Sequence, residues 1–208
     1  MESNTCVCKT SNGYREDTSL TPPECYECLK GCASCSVDVN ICEGGCRENY
    51  QGDDCICPVT NGFREDVLSK PNICVPCTKG CKSCPNNAAI CVGDCRPNYV
   101  GADCSCPIDN GYRIDSTINP NSCEPCDNGC VSCNSDKTIC DGGLCRLNFA
   151  GTDCSCPSDG FRLNTLTSPS TCEACTVANC ADCSTDKAIC QANGCEKTSS
   201  LNRTSAHV

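Results

Sequence analysis

The stretch that decides the fold is Cys95-Arg-Pro-Asn-Tyr-Val-Gly-Ala-Asp-Cys104-Ser-Cys106, a run between cysteines that ends in C-x-C. The pattern C-R-x-N-(Y/F)-x-G-x-D-C-x-C recurs at Cys46–Cys57 and at Cys145–Cys156, and we call each copy a seam because it lies between two repeats. Each seam has too few aliphatic or ring-bearing side chains for a hydrophobic core, so a covalent link should close it. We therefore predict three seam disulfides, namely Cys46–Cys55, Cys95–Cys104 and Cys145–Cys154.

The seam sequence also predicts a tight double turn. Asparagine is a non-glycine residue that tolerates a left-handed backbone, and each seam has one directly before its aromatic ring. Glycine, two residues after the ring, adopts positive φ without steric cost. We expect positive φ at Asn49, Asn98, Asn148, Gly52, Gly101 and Gly151.

The cysteines divide the chain into four tandem repeats of eight. There are 32 cysteines in 208 residues, about 15%, which is well above the share that marks a disulfide scaffold. The cysteine pattern recurs after 49, 49 and 50 residues. A repeat of this size cannot be stable by burial alone, so disulfides must supply the stability. The boundaries are a tail at 1–5, repeat 1 at 6–54, repeat 2 at 55–103, repeat 3 at 104–153, repeat 4 at 154–195 with a truncated seam, and a tail at 196–208.

Each repeat has two further parts. Its C-x-C pair and its G-(Y/F)-R motif lead through Thr, Ser, Asn and Pro to the third cysteine, which predicts a two-stranded hairpin that we call the finger. The following C-x2-C-x3-C-x2-C-x6-C segment, which we call the knot, has too little apolar periodicity for a helix. The predicted fold is small and disulfide-rich, an elongated rod of tandem repeats with short β-hairpins and little helix.

The net charge and the cysteine content predict which partners the protein does not bind and in which compartment it occurs. A net charge of -10 argues against binding to nucleic acid or to an anionic membrane surface. No apolar run is long enough to span a bilayer, so we expect no membrane span in this chain. Disulfides persist only in an oxidising compartment, which predicts an extracellular, secreted or cell-surface protein. Because Met-Glu-Ser-Asn-Thr-Cys at the start has no signal-peptide features, we expect a mature, trimmed or partial chain.

Residues 6–195 resemble known cysteine-rich repeats. The seam is similar to the last disulfide loop of EGF-like modules, with Asn in place of the first Gly. The alternation of G-(Y/F)-R fingers with C-x2-C knots resembles furin-like, growth-factor-receptor-type repeats, especially those of protist cysteine-rich surface proteins of the variant surface protein or immobilisation antigen type. The resemblance implies the knot pairs Cys77–Cys84 and Cys81–Cys91, with equivalents in the other repeats. It also implies the finger disulfides Cys8–Cys25, Cys57–Cys74, Cys106–Cys123 and Cys156–Cys172. The residues alone leave this connectivity open, since six cysteines allow 15 pairings.

Metal-binding and catalytic interpretations are weaker. The cysteines of residues 74–84 have the spacing of zinc ligands, so structural zinc remains an alternative to disulfides. The many C-x-x-C pairs indicate redox chemistry only beside a β-α-β pattern, which is missing. The single histidine, His207, lies in the tail and cannot be a general base held on a scaffold. We expect no catalytic residues, no metal, no cofactor and no enzyme activity.

The polar residues of the seams have structural interpretations. We predict that the aspartates before the seam's second cysteine cap turns rather than bind calcium. We predict that the seam arginines stack on the neighbouring rings. The sequon Asn202-Arg203-Thr204 predicts glycosylation of Asn202, which would make the chain a glycoprotein. The aspartates are Asp54, Asp103 and Asp153, and the arginines are Arg47, Arg96 and Arg146.

Two functions fit these features. The favoured hypothesis is an extracellular structural protein, a surface coat or surface antigen built as a stiff rod. The alternative is a receptor or adhesin ectodomain whose fingers bind an extracellular ligand such as another surface protein or a glycan. Cys6 and Cys195 have no partner in the repeat pattern, and three alternatives follow: local re-pairing at the ends, neighbouring repeats lost from a longer parent chain, or a disulfide between Cys195 of one molecule and Cys6 of the next. The third alternative predicts head-to-tail self-association and a filament.

Overall fold

A computed structural model describes residues 8–191. Its secondary structure is eight four-residue strands and one short 3-10 turn, and these are β1 (Tyr14–Asp17), β2 (Glu24–Glu27), β3 (Phe63–Asp66), β4 (Ile73–Pro76), β5 (Tyr112–Asp115), β6 (Ser122–Pro125), η1 (Asp141–Gly143), β7 (Phe161–Asn164) and β8 (Thr171–Ala174). The strands form four separate two-stranded sheets, one in each repeat. In residues 8–191 no helix has the length and apolar character needed to cross a membrane. The predicted small disulfide-rich fold with short β-hairpins and almost no helix is confirmed.

The fingers are antiparallel hairpins in a constant register. Tyr14 pairs with Glu27 in the first finger, and Phe63 pairs with Pro76 in the second. A glycine with positive φ precedes each finger, and Gly62 has a φ of 86°. Only a residue without Cβ takes this conformation freely, so the G-(Y/F)-R motif marks the point at which the chain turns into the hairpin.

The interior of each repeat consists mainly of cysteine. Tyr50, Phe63 and Tyr112 are the only buried hydrophobic residues other than cysteine in residues 8–191, and no polar or charged residue there is buried. The disulfides therefore fill the core as well as crosslink it, since a cysteine sulfur behaves as a small apolar group. Most aliphatic side chains remain on the surface, among them Leu68 and Leu166, which are 90% and 93% exposed.

Fifteen disulfides connect the thirty cysteines of residues 8–191. One bridge closes each finger, two close each knot, and one closes each of the three seams. The finger bridges are Cys8–Cys25, Cys57–Cys74, Cys106–Cys123 and Cys156–Cys172. The second knot has Cys77–Cys84 and Cys81–Cys91, the pairs that the resemblance implied.

The described chain forms two compact units. The first contains the residues up to Cys106 together with Asp115–Cys123, and the second contains Pro107–Ile114 together with the residues from Glu124 onward. The finger tip of the third repeat therefore belongs to the first unit. The first unit contains the first and second seams and the residues that these seams contact in the following finger. The second unit contains the third seam.

Candidate functional site

The structure closes all three seams with the predicted disulfides. Each bridge joins the eighth cysteine of one repeat to the first cysteine of the next. The Cα atoms of the pairs Cys46–Cys55, Cys95–Cys104 and Cys145–Cys154 are 5.1, 5.2 and 5.2 Å apart. These distances are normal for a disulfide, so the crosslink fits the turn that the backbone makes.

The seam backbone is left-handed at three places. The asparagines have φ values of 66°, 67° and 68°, and the glycines have φ values of 75°, 77° and 82°, as the sequence predicts for Asn49, Asn98, Asn148, Gly52, Gly101 and Gly151. The second cysteine of each seam also has positive φ, which is 47° at Cys104. No local sequence signal marks such a cysteine, because cysteine has no preference for this region. The disulfide and the surrounding turn must hold it there.

Each seam asparagine also forms a hydrogen bond to the next repeat, which the sequence did not predict. Asn49 Nδ2 donates to the carbonyl of Cys74 over 2.8 Å, and Asn98 Nδ2 donates to that of Cys123 over 2.8 Å. In the third seam, Asn148 Nδ2 donates to Cys172 over 2.9 Å. The acceptor is always the third cysteine of the following repeat, in the returning strand of the finger. The amide therefore satisfies a strand-edge carbonyl and couples the seam to that finger.

The aromatic ring of each seam packs on a glycine of the preceding knot. A Cβ atom placed on Gly31 would lie 1.9 Å from the Tyr50 ring, and one on Gly80 would lie 1.9 Å from the Tyr99 ring. Gly129 has the same relation to Phe149. Glycine is required because any side chain would occupy the space of the ring. The fourth repeat has Asn179 at this position, and no aromatic residue follows Cys195.

The tyrosine hydroxyls extend the seam contact to the next finger. Tyr50 Oη donates to the carbonyl of Asn72 over 2.9 Å, and Tyr99 Oη donates to that of Asn121 over 2.8 Å. Burial, together with the nearby Glu65 carboxylate, raises the pKa of Tyr50 to about 12, although the charge of Arg47 acts in the opposite direction. Burial likewise raises the pKa of Tyr99.

The seam arginines stack on the rings as predicted. The guanidinium carbon of Arg47 is 5.1 Å from the ring centroid of Tyr50, and Arg96 is 5.0 Å from that of Tyr99. Arg146 is 5.0 Å from the ring of Phe149. This is the range of cation–π contacts, so each seam ring contacts both a glycine of the preceding knot and the guanidinium of its own seam.

Gly13 of the first finger lies close to both Arg47 and the finger of the second repeat. A Cβ atom on Gly13 would lie 3.0 Å from Arg47 and 3.1 Å from Pro71 of the second finger. Lys70, beside that proline, forms an ion pair with Glu27 of the first finger over 3.6 Å. Gly62, Arg96 and Pro120 form the same contact at the second seam. At both seams of the first unit, each finger therefore folds back over the seam that precedes it.

Asp54 and Asp103, two of the seam aspartates predicted to cap turns, face lysines of the preceding knot. Asp54 forms an ion pair with Lys30, whose hydrogen bond lowers the pKa of the Asp54 carboxyl. Asp103 faces Lys79 over 3.9 Å. Turn-capping aspartates occur instead at the finger tips, where Asp17 Oδ1 accepts from the backbone N–H of Ser19 over 3.0 Å. Exposed ion pairs contribute little stability, so the aspartates are minor parts of the seam.

Three cysteine sulfurs of the first repeat boundary lie close enough together to resemble a metal site, but all three are in disulfides. The Sγ atoms of Cys32, Cys42 and Cys55 lie within 4.8 Å of one another. Cys32 and Cys42 are bonded to each other, and Cys55 is bonded to Cys46. The four cysteines of residues 74–84, the alternative zinc ligands, are also all in disulfides. Zinc binds thiolates, so in this oxidised form these sulfurs are not available as ligands.

A cleft lies beside the first seam. It has a volume of about 580 Å³, and its lining includes Arg47, Glu48 and Lys70. Asn119, from the third finger, reaches its rim and donates from Nδ2 to Asn49 Oδ1 over 2.8 Å. The cleft thus combines charged and amide groups from three repeats of the first unit.

Two predicted sites, with three residues in all, lie outside the described residues. These are the inter-subunit pair, Cys6 and Cys195, and the glycosylation site, Asn202. They remain predictions from the sequence.

No protein-family model, curated protein or solved structure matches this chain. What the structure supports is a cysteine-rich repeat protein with many disulfides and small β-hairpins. The likeness to furin-like and EGF-like repeats stays a prediction.

Proposed function

We propose that the chain is an extracellular structural protein in which disulfide-closed repeats form a stiff rod that acts as a surface coat or spacer. The observation that carries the proposal is the uniform construction of the three seams. Each has the same disulfide, the same asparagine-to-cysteine hydrogen bond and the same contacts of an aromatic ring with a glycine and an arginine. A protein that serves as a spacer needs identical, rigid joints, whereas a receptor needs only one distinctive site.

The composition of the interior supports the same proposal. The many disulfides fit a secreted or extracellular protein, because disulfides persist in an oxidising compartment. No charged residue is buried in residues 8–191, and the raised pKa of Tyr50 belongs to a ring that packs within the first seam. We therefore propose a structural role rather than a catalytic one.

Limited proteolysis of the full chain tests this function. A coat or spacer should resist trypsin and proteinase K along residues 8–191 while its disulfides are intact, because local opening exposes few peptide bonds. Reduction should make the same residues sensitive along their whole length. Cleavage of the oxidised chain at several places within the seams would contradict the proposal.

The cleft beside the first seam favours a second candidate, an adhesin or receptor ectodomain. Arg47, Lys70, Glu48 and Asn119 would supply hydrogen bonds to a polar ligand such as a glycan. Screening of a glycan array with the wild-type chain and with the Lys70→Ala variant tests this function. Binding that the variant loses would favour the adhesin, and no binding by the wild-type chain would remove the candidate.

A further inference from the structure

Two disulfides lie against each other at the first seam. One is the seam bridge Cys46–Cys55, and the other is the knot bridge Cys32–Cys42. The Sγ atom of Cys55 lies within 4.8 Å of both knot sulfurs. Among residues 8–191, three cysteine sulfurs come this close to one another only here. A thiolate formed at Cys55 would therefore have a second disulfide beside it.

Solvent reaches only one sulfur of each bridge. Cys32 and Cys55 are 0% and 2% exposed, whereas Cys42 and Cys46 are half-buried. A dissolved thiol can therefore approach the seam bridge at Cys46 and not at Cys55. Attack at Cys46 makes Cys55 the leaving thiolate, which is the sulfur that lies next to the knot bridge.

The remaining two cysteines of this group face each other across the backbone. Cys32 and Cys46 are partners in an isolated antiparallel β-bridge. The hydrogen bonds lie on either side of this pair, as from the N–H of Ala33 to the carbonyl of Gly45 over 2.9 Å. Opposite Cα atoms in such a non-hydrogen-bonded pair are roughly 4.5 Å apart, and a disulfide spans about 4.4–6.8 Å. A bridge between Cys32 and Cys46 therefore requires rotation of their side chains only.

We propose that the first seam is a site of thiol–disulfide exchange. At this site a small-molecule thiol converts the bridges Cys32–Cys42 and Cys46–Cys55 into Cys32–Cys46 and Cys42–Cys55. The inference concerns the reactivity of the joint, so it holds whether the chain is a coat protein or an adhesin.

Three displacements connect the two pairings. The dissolved thiolate attacks Cys46 Sγ, forms a mixed disulfide there and expels Cys55 as a thiolate. Cys55 then attacks Cys42 Sγ, which forms Cys42–Cys55 and expels Cys32 as a thiolate. Cys32 attacks Cys46 Sγ, forms Cys32–Cys46 and expels the original thiolate. Two disulfides are present before and after and no electrons or protons are gained or lost, so the thiol is a catalyst.

The exchange changes what closes the seam. Cys55 stays bonded to the first repeat, at Cys42 instead of Cys46, so the two repeats remain covalently joined. The turn that contains Asn49 and Gly52 no longer has a disulfide across its ends. The first seam therefore has a second, looser state that a thiol in the surroundings makes accessible.

Disulfide mapping after a thiol pulse tests the proposal on the full oxidised chain. Reduced glutathione starts the exchange, and N-ethylmaleimide in acidic denaturant stops it, because the attacking species is the thiolate. Trypsin with glutamyl endopeptidase then gives the peptides 31–43 and 44–47, which the original pairing does not join. A link between these two peptides reports the new bridge from Cys46. It should form at least about tenfold faster than the equivalent link at the second seam, Cys81–Cys95.

A single substitution isolates the second displacement. Cys46→Ser leaves Cys55 without its partner, so part of the molecules should carry the free thiol on Cys32. The matched control is Cys95→Ser, in which the free thiol should stay on Cys104, because no group of three close sulfurs lies at the second seam in the described part of the chain. Labelling with N-ethylmaleimide in acidic denaturant, followed by mass spectrometry, locates the thiol.

A free thiol that stays on Cys55 in every molecule of Cys46→Ser would overturn the proposal. Equal exchange at the first and second seams would do so as well. Links between the fingers of different repeats after the thiol pulse would indicate general scrambling and would also contradict it. If Cys46→Ser fails to fold, the thiol pulse of the wild-type chain decides.

Discussion

At the residue scale, the seam asparagine has two structural roles, one for its backbone and one for its side chain. Its backbone takes the left-handed conformation that the turn requires, with φ of 67° at Asn98. Its side chain donates to the carbonyl of Cys123 in the next repeat. Asparagine meets both needs because it tolerates left-handed backbone and has an amide donor. Glycine at this position would supply only the first.

Substitutions of Asn98 separate the role of its backbone conformation from that of its side-chain hydrogen bond. Asn98→Gly keeps the left-handed backbone and removes the donor, so local stability should fall by about 1 kcal/mol. Asn98→Ala adds a left-handed strain of about 1–2 kcal/mol to this loss. The readout is hydrogen exchange at the amides of Val100 and Ser105, which pair across the seam turn. Wild-type exchange rates in Asn98→Gly would show that the amide contributes nothing.

The two glycines of the second seam should respond differently to alanine. Gly101 has positive φ and open space around a would-be Cβ, so Gly101→Ala should cost only the backbone strain, about 1–2 kcal/mol. Gly80→Ala places a methyl group inside the Tyr99 ring and should cost more, about 3 kcal/mol. In a Tyr99→Ala background, the cost of Gly80→Ala should fall below about 1 kcal/mol. Equal costs of Gly80→Ala with and without the ring would contradict the packing.

Tyr50 should ionise at an unusually high pH. Its pKa of about 12 in the folded chain lies above the ordinary value of 10.0. The unfolded chain therefore loses this proton first, and the stabilising contribution of Tyr50 is complete below pH 10.0 and is lost as the pH rises toward about 12. Ultraviolet titration should show one late tyrosinate component that Tyr50→Phe removes. Persistence of that component in the variant would contradict the assignment.

At the scale of the element, local sequence patterns predicted the finger and the turn of each repeat. They did not predict the hydrogen bonds that connect one repeat to the next, because these join residues far apart in the sequence. The hairpin fingers and the positive φ at Gly101 follow from short motifs and from glycine stereochemistry. The bond from Asn98 to Cys123 joins residues 25 apart, and no local pattern indicates it. One sequence signal did indicate the packing of the ring on a glycine. Three repeats have a glycine directly before their fifth cysteine, whereas the fourth repeat has Asn179 there and its seam sequence lacks an aromatic ring.

Removal of one seam disulfide tests the seam as an element. In the double variant Cys95→Ser and Cys104→Ser, the contacts of Asn98 and Tyr99 remain, so the repeats on either side should stay folded. The chain should gain flexibility at that seam, because the disulfide no longer limits the turn. Small-angle scattering should then show a broader distribution of interatomic distances.

The matched control for this test is the knot pair, Cys77→Ser with Cys84→Ser. Removing a bridge within one repeat should loosen that knot and leave the distance distribution unchanged. The same broadening in both variants would show that the seam has no special role as a joint.

At the scale of the whole molecule, disulfides replace the hydrophobic core. In residues 8–191 the interior is cysteine with three aromatic rings, and the aliphatic side chains stay on the surface. Composition predicts this outcome, since 32 cysteines and no tryptophan leave little else to bury. The exposure of the isoleucine directly before the seventh cysteine of each repeat was not predicted, because an apolar residue in a regular position normally indicates a core. Because disulfides fill the interior, these isoleucines stay on the surface.

The central claim is that successive repeats are joined covalently at their seams. Disulfide mapping by mass spectrometry of the unreduced chain tests it most directly, with electron-transfer fragmentation to separate Cys104 from Cys106. We expect crosslinked peptides that join Cys46 to Cys55, Cys95 to Cys104 and Cys145 to Cys154, with no free thiol among residues 8–191. Seam cysteines that pair only within their own repeats, or that react as free thiols in denaturant, would contradict it.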